Sequence, residues 1–298
     1  MPAIEQSSSK SATAVPTGVA LPSRLELGFT LDGGLTRMVP LRQEPPWRAI
    51  RSFRNARRQA VIHLHNVSGG ILPGDSLSLT LQAGPATRVQ VTSVGATRIY
   101  RHRPDRCGSQ LATCIRVDDG AVLEYLPDTI IPFSGSRCSQ STSVSLGQNA
   151  GFIWWETLAA GRVASREEFG FDFFHSDCVI QSETRPLAME RYSLVPAELN
   201  PRSVARFGKF NYTATLYICH TGVGQSVWPD LESRISTLAL ARTSETERWG
   251  ASTLAAGGLV IRGLALAAHQ ITSGLYTFWD FAKKELWGEP ALPPRKIN

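Results

Sequence analysis

The chain of 298 residues is 42% hydrophobic and 19% charged, which is ordinary for a globular protein and argues against wholesale disorder. Its formal net charge of +6 comes mostly from arginine, and the arginine runs carry neither interleaved aromatic residues nor a zinc-finger or helix-turn-helix pattern. We therefore predict no nucleic-acid partner and interpret the runs as solvated faces or docking patches for an acidic protein. The two runs are Arg48, Arg51, Arg54, Arg57, Arg58 and Arg98, Arg101, Arg103, Arg106.

The first segment, residues 1–23, lacks the apolar core of a secretory signal and is predicted to be a flexible tail. Five widely spaced cysteines without a C-x-x-C pair do not form a disulfide framework and suit a reducing compartment. The longest apolar stretch, residues 251–268, is interrupted by Arg262 and several glycines, so no membrane span is predicted. These features together predict a cytoplasmic protein.

Residues 24 to about 220 alternate between apolar and polar side chains with a period of two. This alternation is typical of half-buried strands, which we predict to pair antiparallel. Turn sequences recur at intervals of roughly 30 residues and are each followed by an apolar strand, which indicates a weak internal repeat. The alternating segments include SLSLTLQ, TRVQVTS and EFGFDFF, and the turns lie at residues 83–85, 118–120 and 147–151.

The period changes in the last quarter of the chain. A helix is predicted to begin near Pro229-Asp230, followed by a strand at GGLVIRG and by a second, amphipathic helix that starts near Leu264 and ends near Trp287-Gly288. The predicted fold is mainly β: a large antiparallel β assembly of many short strands with two α-helices in the C-terminal quarter. Residues 24–298 are predicted to form a single domain.

The glycine-rich stretch Gly69–Asp75 resembles a phosphate-binding loop in composition only. No lysine follows Gly74, and an alternating strand follows where a phosphate loop requires a helix N-terminus. We therefore predict that these glycines supply positive φ angles or allow two strands to approach closely.

Metal-ligand patterns are weak in this sequence. His63 and His65 are two residues apart and would share one face of a strand, but no third ligand is near in sequence. No tightly bound metal or cofactor is predicted.

Several carboxylates lie in apolar, strand-like segments, where burial is costly unless the charge is paired or hydrated. Two alternative functions follow from the residues alone. Glu124 and Glu156 could form the acid and base of a hydrolase. A β-rich module could instead bind a small ligand or carbohydrate in a pocket lined by tryptophans, the candidates being Trp154, Trp155 and Trp228.

Four segments in a fixed order resemble the motif series of the UreD (UreH) family of urease accessory proteins. The resemblance covers nearly all of residues 24–298, although Arg98 replaces the family's usual lysine and Asp128-Thr129 replaces its usual glutamine and acid. The segments are GGILPGDSL, SVGATRIYR, LEYLPDTIIPF and WWETLAAGRVASREEF, with the motifs at residues 69–77, 96–101, 123–127 and 155–169.

The resemblance implies a mainly β, non-catalytic scaffold that binds urease apoprotein and UreF, reaches the GTPase UreG through UreF, and works in a hetero-oligomer. It also implies that Ni²⁺ passes in transit through a water-filled channel inside the protein. By their position in the matching motifs, Asp75, Glu156 and Glu190 are the predicted channel lining, with Arg162 as the partner of Glu156. The alternative is that these four residues only form buried salt bridges with one another.

Overall fold

The computed structural model describes residues 22–103, 107–183 and 185–294. Most of the predicted tail, Arg106 of the second arginine run and the last four residues lie outside these ranges. In the described part of the chain the strands are β1 (Ser23–Asp32), β2 (Leu35–Gln43), β3 (Trp47–Arg48), β4 (Ser52–Arg54), β5 (Ala60–Asn66), β6 (Ser76–Ala83), β7 (Arg88–Ser93), β8 (Thr97–Ile99), β9 (Ser109–Val117), β10 (Val122–Leu126), β11 (Ile130–Pro132), β12 (Arg137–Leu146), β13 (Gly151–Ala159), β14 (Gly161–Arg162), β15 (Glu167–Glu168), β16 (Phe173–Ser182), β17 (Pro186–Leu194), β18 (Tyr212–His220), β19 (Glu247–Thr253) and β20 (Leu259–Ala265).

Two α-helices lie near the C-terminus of the described chain, as predicted: α1 (Val227–Arg242) and α2 (Ala268–Trp287). Helix α2 begins where the side chain of Gln270 accepts a hydrogen bond from the Ala267 N–H, and it ends at Gly288, which adopts a left-handed conformation. Leu264, expected at the start of this helix, belongs to β20 instead. Neither helix is long and apolar enough to cross a membrane.

Most strands form two stacked sheets, between which the chain crosses repeatedly, and β14 and β15 form a separate two-stranded sheet. The first sheet has the order β17-β16-β12-β9-β6-β1-β2, and the second has the order β19-β20-β18-β13-β10-β7-β5-β3. Successive passes align side by side, so that Ser76 lies beside Gln110, Gln110 beside Ser139, and Ser139 beside His175. Each pass of the chain through both sheets corresponds to one unit of the internal repeat predicted from the turns. We call the succession of these passes the parallel coil, because their equivalent strands run side by side in the same direction.

The prediction of antiparallel pairing is wrong for the centre of both sheets. Strands β1, β6, β9, β12 and β16 pair parallel, as do β5, β7, β10 and β13. Antiparallel pairs occur towards the sheet edges, at β1–β2, β16–β17, β13–β18, β18–β20 and β19–β20 among others. Alternation reports only that one face of a strand is buried; because consecutive strands enter different sheets, strands within one sheet run in the same direction.

This topology gives the sandwich two unlike ends. At the end we call the turn end, first-sheet strands pass into second-sheet strands through tight turns at residues 84–87, 118–121 and 147–150. At the opposite end, the loop end, the second-sheet strands finish and longer connections carry the short strands β8 and β11.

The main core fills the space between the sheets, where Leu79 and Leu81 of the first sheet meet Val89, Val91 and Phe152 of the second. A second core lies on the outer face of the second sheet, which α1 and α2 cover. The outer face of the first sheet is largely exposed to solvent. The second sheet is thus buried on both faces, and a charge on either face needs a partner there.

The glycine stretch sits at the loop end. A Cβ atom at Gly70 would lie 2.6 Å from Cε2 of Tyr100 and 2.7 Å from the carbonyl oxygen of Arg98, so another strand approaches the backbone closely. Gly69 and Gly74 adopt positive φ angles. The stretch is followed by β6 and shapes the backbone as predicted.

Candidate functional site

Glu156 on β13 and Glu190 on β17 line the same surface pocket, which has a volume of about 580 Å³. Both side chains are half-buried. The sequence named both residues, and the fold brings them together because β17 is the edge of the first sheet while Glu156 points from the second sheet into the sandwich.

Neutral donors hold Glu156. The Tyr192 hydroxyl donates to Oε1 over 2.7 Å, and the Gln140 side-chain amide donates to Oε2. The same Gln140 amide donates to the Ser176 hydroxyl over 2.9 Å, which fixes its orientation. Burial raises the pKa of Glu156 above its ordinary value against these two hydrogen bonds, and the charge of Glu190 raises it further.

A full positive charge holds Glu190. Nη1 and Nη2 of Arg262 donate to Oε1 and Oε2 over 2.6 and 2.9 Å, and the Tyr217 hydroxyl donates to Oε2 as well. Burial raises the pKa of Glu190, but the hydrogen bonds from Arg262 and Tyr217 outweigh burial and leave this pKa below its ordinary value.

Glu156 also lines a small cavity of about 70 Å³ between the two sheets. Tyr125, Gln140 and Trp154 lie in its wall, and Trp47 and Thr97 line it as well. A space of this size holds one or two water molecules. Glu156 is therefore the carboxylate common to the surface pocket and the interior cavity.

The predicted pairing of Arg162 with Glu156 is wrong. Nε of Arg162 donates to Glu167 Oε2 over 2.8 Å, and its guanidinium lies over the Phe133 ring, 4.4 Å from the ring centroid. Arg162 belongs to the two-residue strand β14, which pairs with β15 and so brings it to Glu167. The alternative of one network of four buried salt bridges fails for the same reason.

Asp75 lies at the loop end, in the turn before β6. Its Oδ2 accepts a hydrogen bond of 2.8 Å from the Leu72 N–H, while burial raises the pKa of the carboxyl group. Asp75 is not among the described residues that line the surface pocket or the interior cavity. The structure therefore does not bring it to the two glutamates.

Glu124 and Glu156 face opposite sides of the second sheet, so they do not form an acid and base pair. Glu124 is completely buried beneath α2, where it accepts hydrogen bonds from Lys283 Nζ over 2.5 Å and from Gln90 Nε2 over 2.8 Å. Lys283 also contacts Glu289 at 2.8 Å. This arrangement satisfies a buried charge within the protein.

The tryptophans that the binding-module alternative requires lie in different layers. Trp154 stacks on Tyr217 between the sheets, whereas Trp155, the next residue in the strand, packs against Trp279 of α2 on the other face. Trp228 is buried in α1. A common tryptophan-lined pocket is therefore not formed.

Histidine and cysteine do not gather into a metal site in the described residues. His63 and His65 share a face of β5, yet no group of three or more His, Cys, Asp or Glu side chains in the described ranges is placed to hold a metal ion. Glu156 and Glu190 place carboxylate oxygens in the surface pocket but are not part of such a group of ligands.

Sequence reasoning missed four residues that hold the two glutamates, and Lys283. Arg262 carried a signal, since it is the one charge in the apolar run GGLVIRG. Lys283 follows Trp279 by four positions and therefore lies on the apolar face of α2. The others, Gln140, Tyr192 and Tyr217, sit in ordinary alternating strands, where nothing local marks them.

Comparison with known proteins decides the family. The model of the UreD urease accessory protein family matches residues 22–298. The chain belongs to the UreD family of urease accessory proteins.

Named relatives agree with this assignment. The urease accessory protein UreD of Herpetosiphon aurantiacus is 38% identical over 274 residues, which cover 92% of this chain and 95% of that protein. The UreD proteins of Pseudomonas paraeruginosa and Deinococcus radiodurans are 30% and 29% identical, each over 92% of this chain and over 93% and 94% of the relative. The UreD motifs recognised in the sequence thus span the parallel coil, and two of them contain Glu156 and the turn of Asp75.

Proposed function

We propose that this UreD-family protein is a non-catalytic urease maturation factor that binds urease apoprotein and UreF, reaches UreG through UreF, and passes Ni²⁺ towards the urease active site. The family supports the accessory role. The single observation that supports a metal path is Glu156, which lines both the surface pocket and the interior cavity. We place this work in the cytoplasm, in a hetero-oligomer.

The chemistry of Glu156 and Glu190 suits a cargo ion in transit. An ion pathway must bind its ion favourably enough to admit it and weakly enough to release it. Nickel lies high in the affinity series for divalent metals, so a histidine and cysteine cage would retain it. Two carboxylates with water offer weaker oxygen ligands, and no tightly bound cofactor is required.

The state of the carboxylates supports the same route. Glu156 is held by uncharged donors, so no internal cation competes with an arriving one for its carboxyl oxygens. The charge of Glu190 is balanced by Arg262 at the pocket mouth, where more than half of the Arg262 side chain is exposed. We propose that Ni²⁺ meets Glu190 and Glu156 in the surface pocket and then enters the cavity beside Gln140 and Trp154.

The test is co-expression of the chain with UreF, UreG and urease apoprotein, followed by measurement of co-purification, nickel content and urease activity. We expect Glu156→Ala to lower the nickel content and activity of urease while the four proteins still co-purify. Glu245→Ala, which removes an exposed glutamate paired with Lys209, is the matched control and should leave nickel loading unchanged.

Normal nickel loading by the Glu156→Ala variant would refute the path through Glu156. Loss of co-purification in the same variant would instead assign Glu156 a structural role in assembly. If the unmodified chain bound neither urease apoprotein nor UreF, the proposed maturation function would be refuted.

A further inference from the structure

The surface pocket lies between β17, at the edge of the first sheet, and four neighbouring strands of the second sheet, β13, β18, β20 and β19. Residues directly opposite one another on paired antiparallel strands project to the same side of a sheet, so the pairing of these four strands defines the pocket floor. The floor consists of two rows of residues that cross all four strands: Glu156, Thr215, Arg262 and Gly250 in the first row, and Leu158, Thr213, Leu264 and Arg248 in the second.

The two ends of this floor differ in charge. Glu156 lies at one end, on β13, and Arg248 lies at the other end, on β19. Arg206 lines the same pocket from the loop between β17 and β18. This loop runs past β19, since the guanidinium carbon of Arg248 lies 6.0 Å from the centroid of the Phe210 ring. We call the part of the pocket formed by Arg206 and Arg248 the arginine end.

Both arginines of the arginine end bond only to neutral acceptors in the described part of the chain. Nη1 of Arg206 donates to Asn200 O over 3.2 Å and to the Ser203 hydroxyl over 3.4 Å. Nη1 of Arg248 donates to the carbonyl oxygen of Glu247 over 3.4 Å. A guanidinium group has five N–H donors, so most donors of these two side chains have no acceptor among the described residues.

Neighbouring cations, by contrast, are paired with carboxylates. Arg248 is close enough to Glu245 to lower its pKa, after the larger effect of Lys209, but the Glu245 carboxylate is already bonded to Lys209 over 2.7 Å. Among residues 22–103, 107–183 and 185–294, no carboxylate forms an ion pair with Arg206 or Arg248. Three cations around the pocket each have a glutamate partner: Arg202 with Glu168, Lys209 with Glu245 and Arg262 with Glu190.

Apolar side chains and an open position complete the pocket. Leu158 and Leu264 lie in the second row of the floor, and Phe207 lines the pocket from the loop. A Cβ atom at Gly250 would meet no atom within 4 Å beyond its chain neighbours, so the position opposite Arg262 is open. The volume of about 580 Å³ is sufficient for a small organic molecule.

We propose that the surface pocket binds a small organic acid, with its carboxylate groups on Arg206 and Arg248 and its carbon body on the apolar part of the floor. Guanidinium groups recognise carboxylates through paired, charge-assisted hydrogen bonds. The donors of the arginine end lose no ion pair of their own when an anion binds. Thr213 and Thr215, which share the floor, add hydroxyl donors.

Two sources supply such a carboxylate: a free organic acid, and an organic acid that is already a ligand of Ni²⁺. The second source rests on the proposed function. In that case the arginine end holds the acid, while Glu156 at the other end of the floor offers an oxygen ligand to the metal. This source accounts for the three arginines of a pocket proposed to admit a cation, since they repel a bare cation and attract its anionic complex.

The experiment is isothermal titration calorimetry of the full chain with citrate at constant ionic strength, with and without Ni²⁺. We expect the wild type to bind citrate and Arg206→Gln/Arg248→Gln to bind it at least ~10-fold more weakly. Gly250→Leu keeps every charge and fills the open position, so it should weaken citrate binding as well. Thermal unfolding without citrate should be the same for the wild type and these variants, which separates loss of binding from loss of the fold.

The control is Arg51→Gln/Arg54→Gln, the same charge change beside β5, near the opposite edge of the second sheet, which should bind citrate as the wild type does. Equal citrate binding by the wild type and Arg206→Gln/Arg248→Gln, or no citrate binding by the wild type with or without Ni²⁺, would overturn the inference. Inorganic phosphate that binds as tightly as citrate would show that the carbon body contributes nothing, and would refute the assignment to an organic acid.

The two nickel conditions distinguish the two sources of the carboxylate. Citrate binding of equal strength with and without Ni²⁺ assigns the pocket to a free acid. Binding that requires Ni²⁺, and that Glu156→Gln also abolishes, assigns it to an acid carried on the metal. Failure of the inference leaves the proposed function standing, because that function is tested by the nickel loading of urease in the co-expressed complex.

Discussion

Glu124 and Glu156 lie on opposite faces of the second sheet, and each face stabilises its carboxylate in a different way. On the helix face, Glu124 is completely buried and contacts the ammonium group of Lys283 at 2.5 Å. On the inner face, Glu156 accepts hydrogen bonds from an uncharged hydroxyl and an uncharged amide, and it lines two cavities.

The difference separates a carboxylate that an internal cation neutralises from one that we propose to have a functional role. In a buried ion pair each charge is neutralised by its partner, and removal of one partner leaves the other charge unpaired in an apolar environment. A carboxylate with neutral donors and access to a pocket has no internal cation that would compete with an arriving cation. The sequence alone would not have separated these residues, since both lie in apolar strands.

The largest expected effect concerns the helix face. Glu124→Ala leaves the Lys283 ammonium group buried with only the half-buried Glu289 as partner, and we expect it to lower the free energy of unfolding by about 3 kcal/mol. Equilibrium unfolding in urea measures this change.

Glu156→Ala removes only hydrogen bonds to neutral donors, and we expect it to lower the free energy of unfolding by about 1 kcal/mol.

A double variant sharpens this prediction. Glu124→Leu/Lys283→Met removes both charges from the site, and we expect it to recover most of the stability that Glu124→Ala loses. A double variant as unstable as Glu124→Ala would show that the damage comes from packing and not from the unpaired charge.

A smaller effect is expected at the pocket mouth. Arg262→Ala removes the bidentate partner of Glu190, but more than half of the Arg262 side chain is exposed, so solvent screens the pair and the loss should be about 1 kcal/mol. Burial is then opposed mainly by Tyr217, and the pKa of Glu190 should rise. A side-chain carboxyl NMR titration measures it, and an unchanged pKa would contradict the role assigned to Arg262.

The pH dependence of stability should have opposite signs for the two glutamates. The pKa of Glu156 is raised in the folded state, so its contribution favours folding at low pH and is lost as pH rises from the unfolded value of about 4.5 to the folded one. The pKa of Glu190 is lowered, so its contribution is present above the unfolded value and is lost as pH falls through the folded one.

Unfolding curves at several pH values test these signs. Relative to wild type, Glu156→Gln should gain stability as pH rises above about 4.5, and Glu190→Gln should gain relative stability as pH falls below it. The same sign for both variants would contradict the assignment of different surroundings to the two carboxyl groups.

The smallest effect is expected at Asp75. Asp75→Asn keeps an oxygen that accepts the hydrogen bond from the Leu72 N–H, so thermal unfolding should report a change below about 0.5 kcal/mol. Urease matured with this variant should contain the wild-type amount of nickel. A loss of nickel comparable to that of Glu156→Ala would place Asp75 on the metal path after all.

The sequence predicted the strand content, the turns between the sheets and both helices, because side-chain periodicity and turn residues are local properties. Strand direction depends on which sheet each strand joins, and that is decided by contacts between distant residues. The placement of Trp154 and Trp155 was available without a structure, since consecutive residues of a strand point to opposite faces.

For the candidate site, the sequence named the two glutamates but not the side chains that bond to them. Glu156 and Glu190 were chosen because each is an acidic residue in an apolar strand and lies in a segment that resembles a family motif. Their partners Gln140, Tyr192 and Tyr217 come from three other strands, and nothing in the alternation of those strands distinguishes a donor from any other half-buried side chain. Arg162 was assigned by closeness in sequence, whereas β14 directs it to Glu167.

The parallel coil has a consequence for how the protein is made. Each pass through both sheets offers an open edge to the next, so a nascent chain on the ribosome can add its passes in order, and each added pass covers the edge left by the one before. A chain released after β12 would expose an unpaired edge at Ser139, a template for aggregation. Only the antiparallel strands at the sheet margins stop this growth, and we expect truncation before β17 to yield insoluble protein.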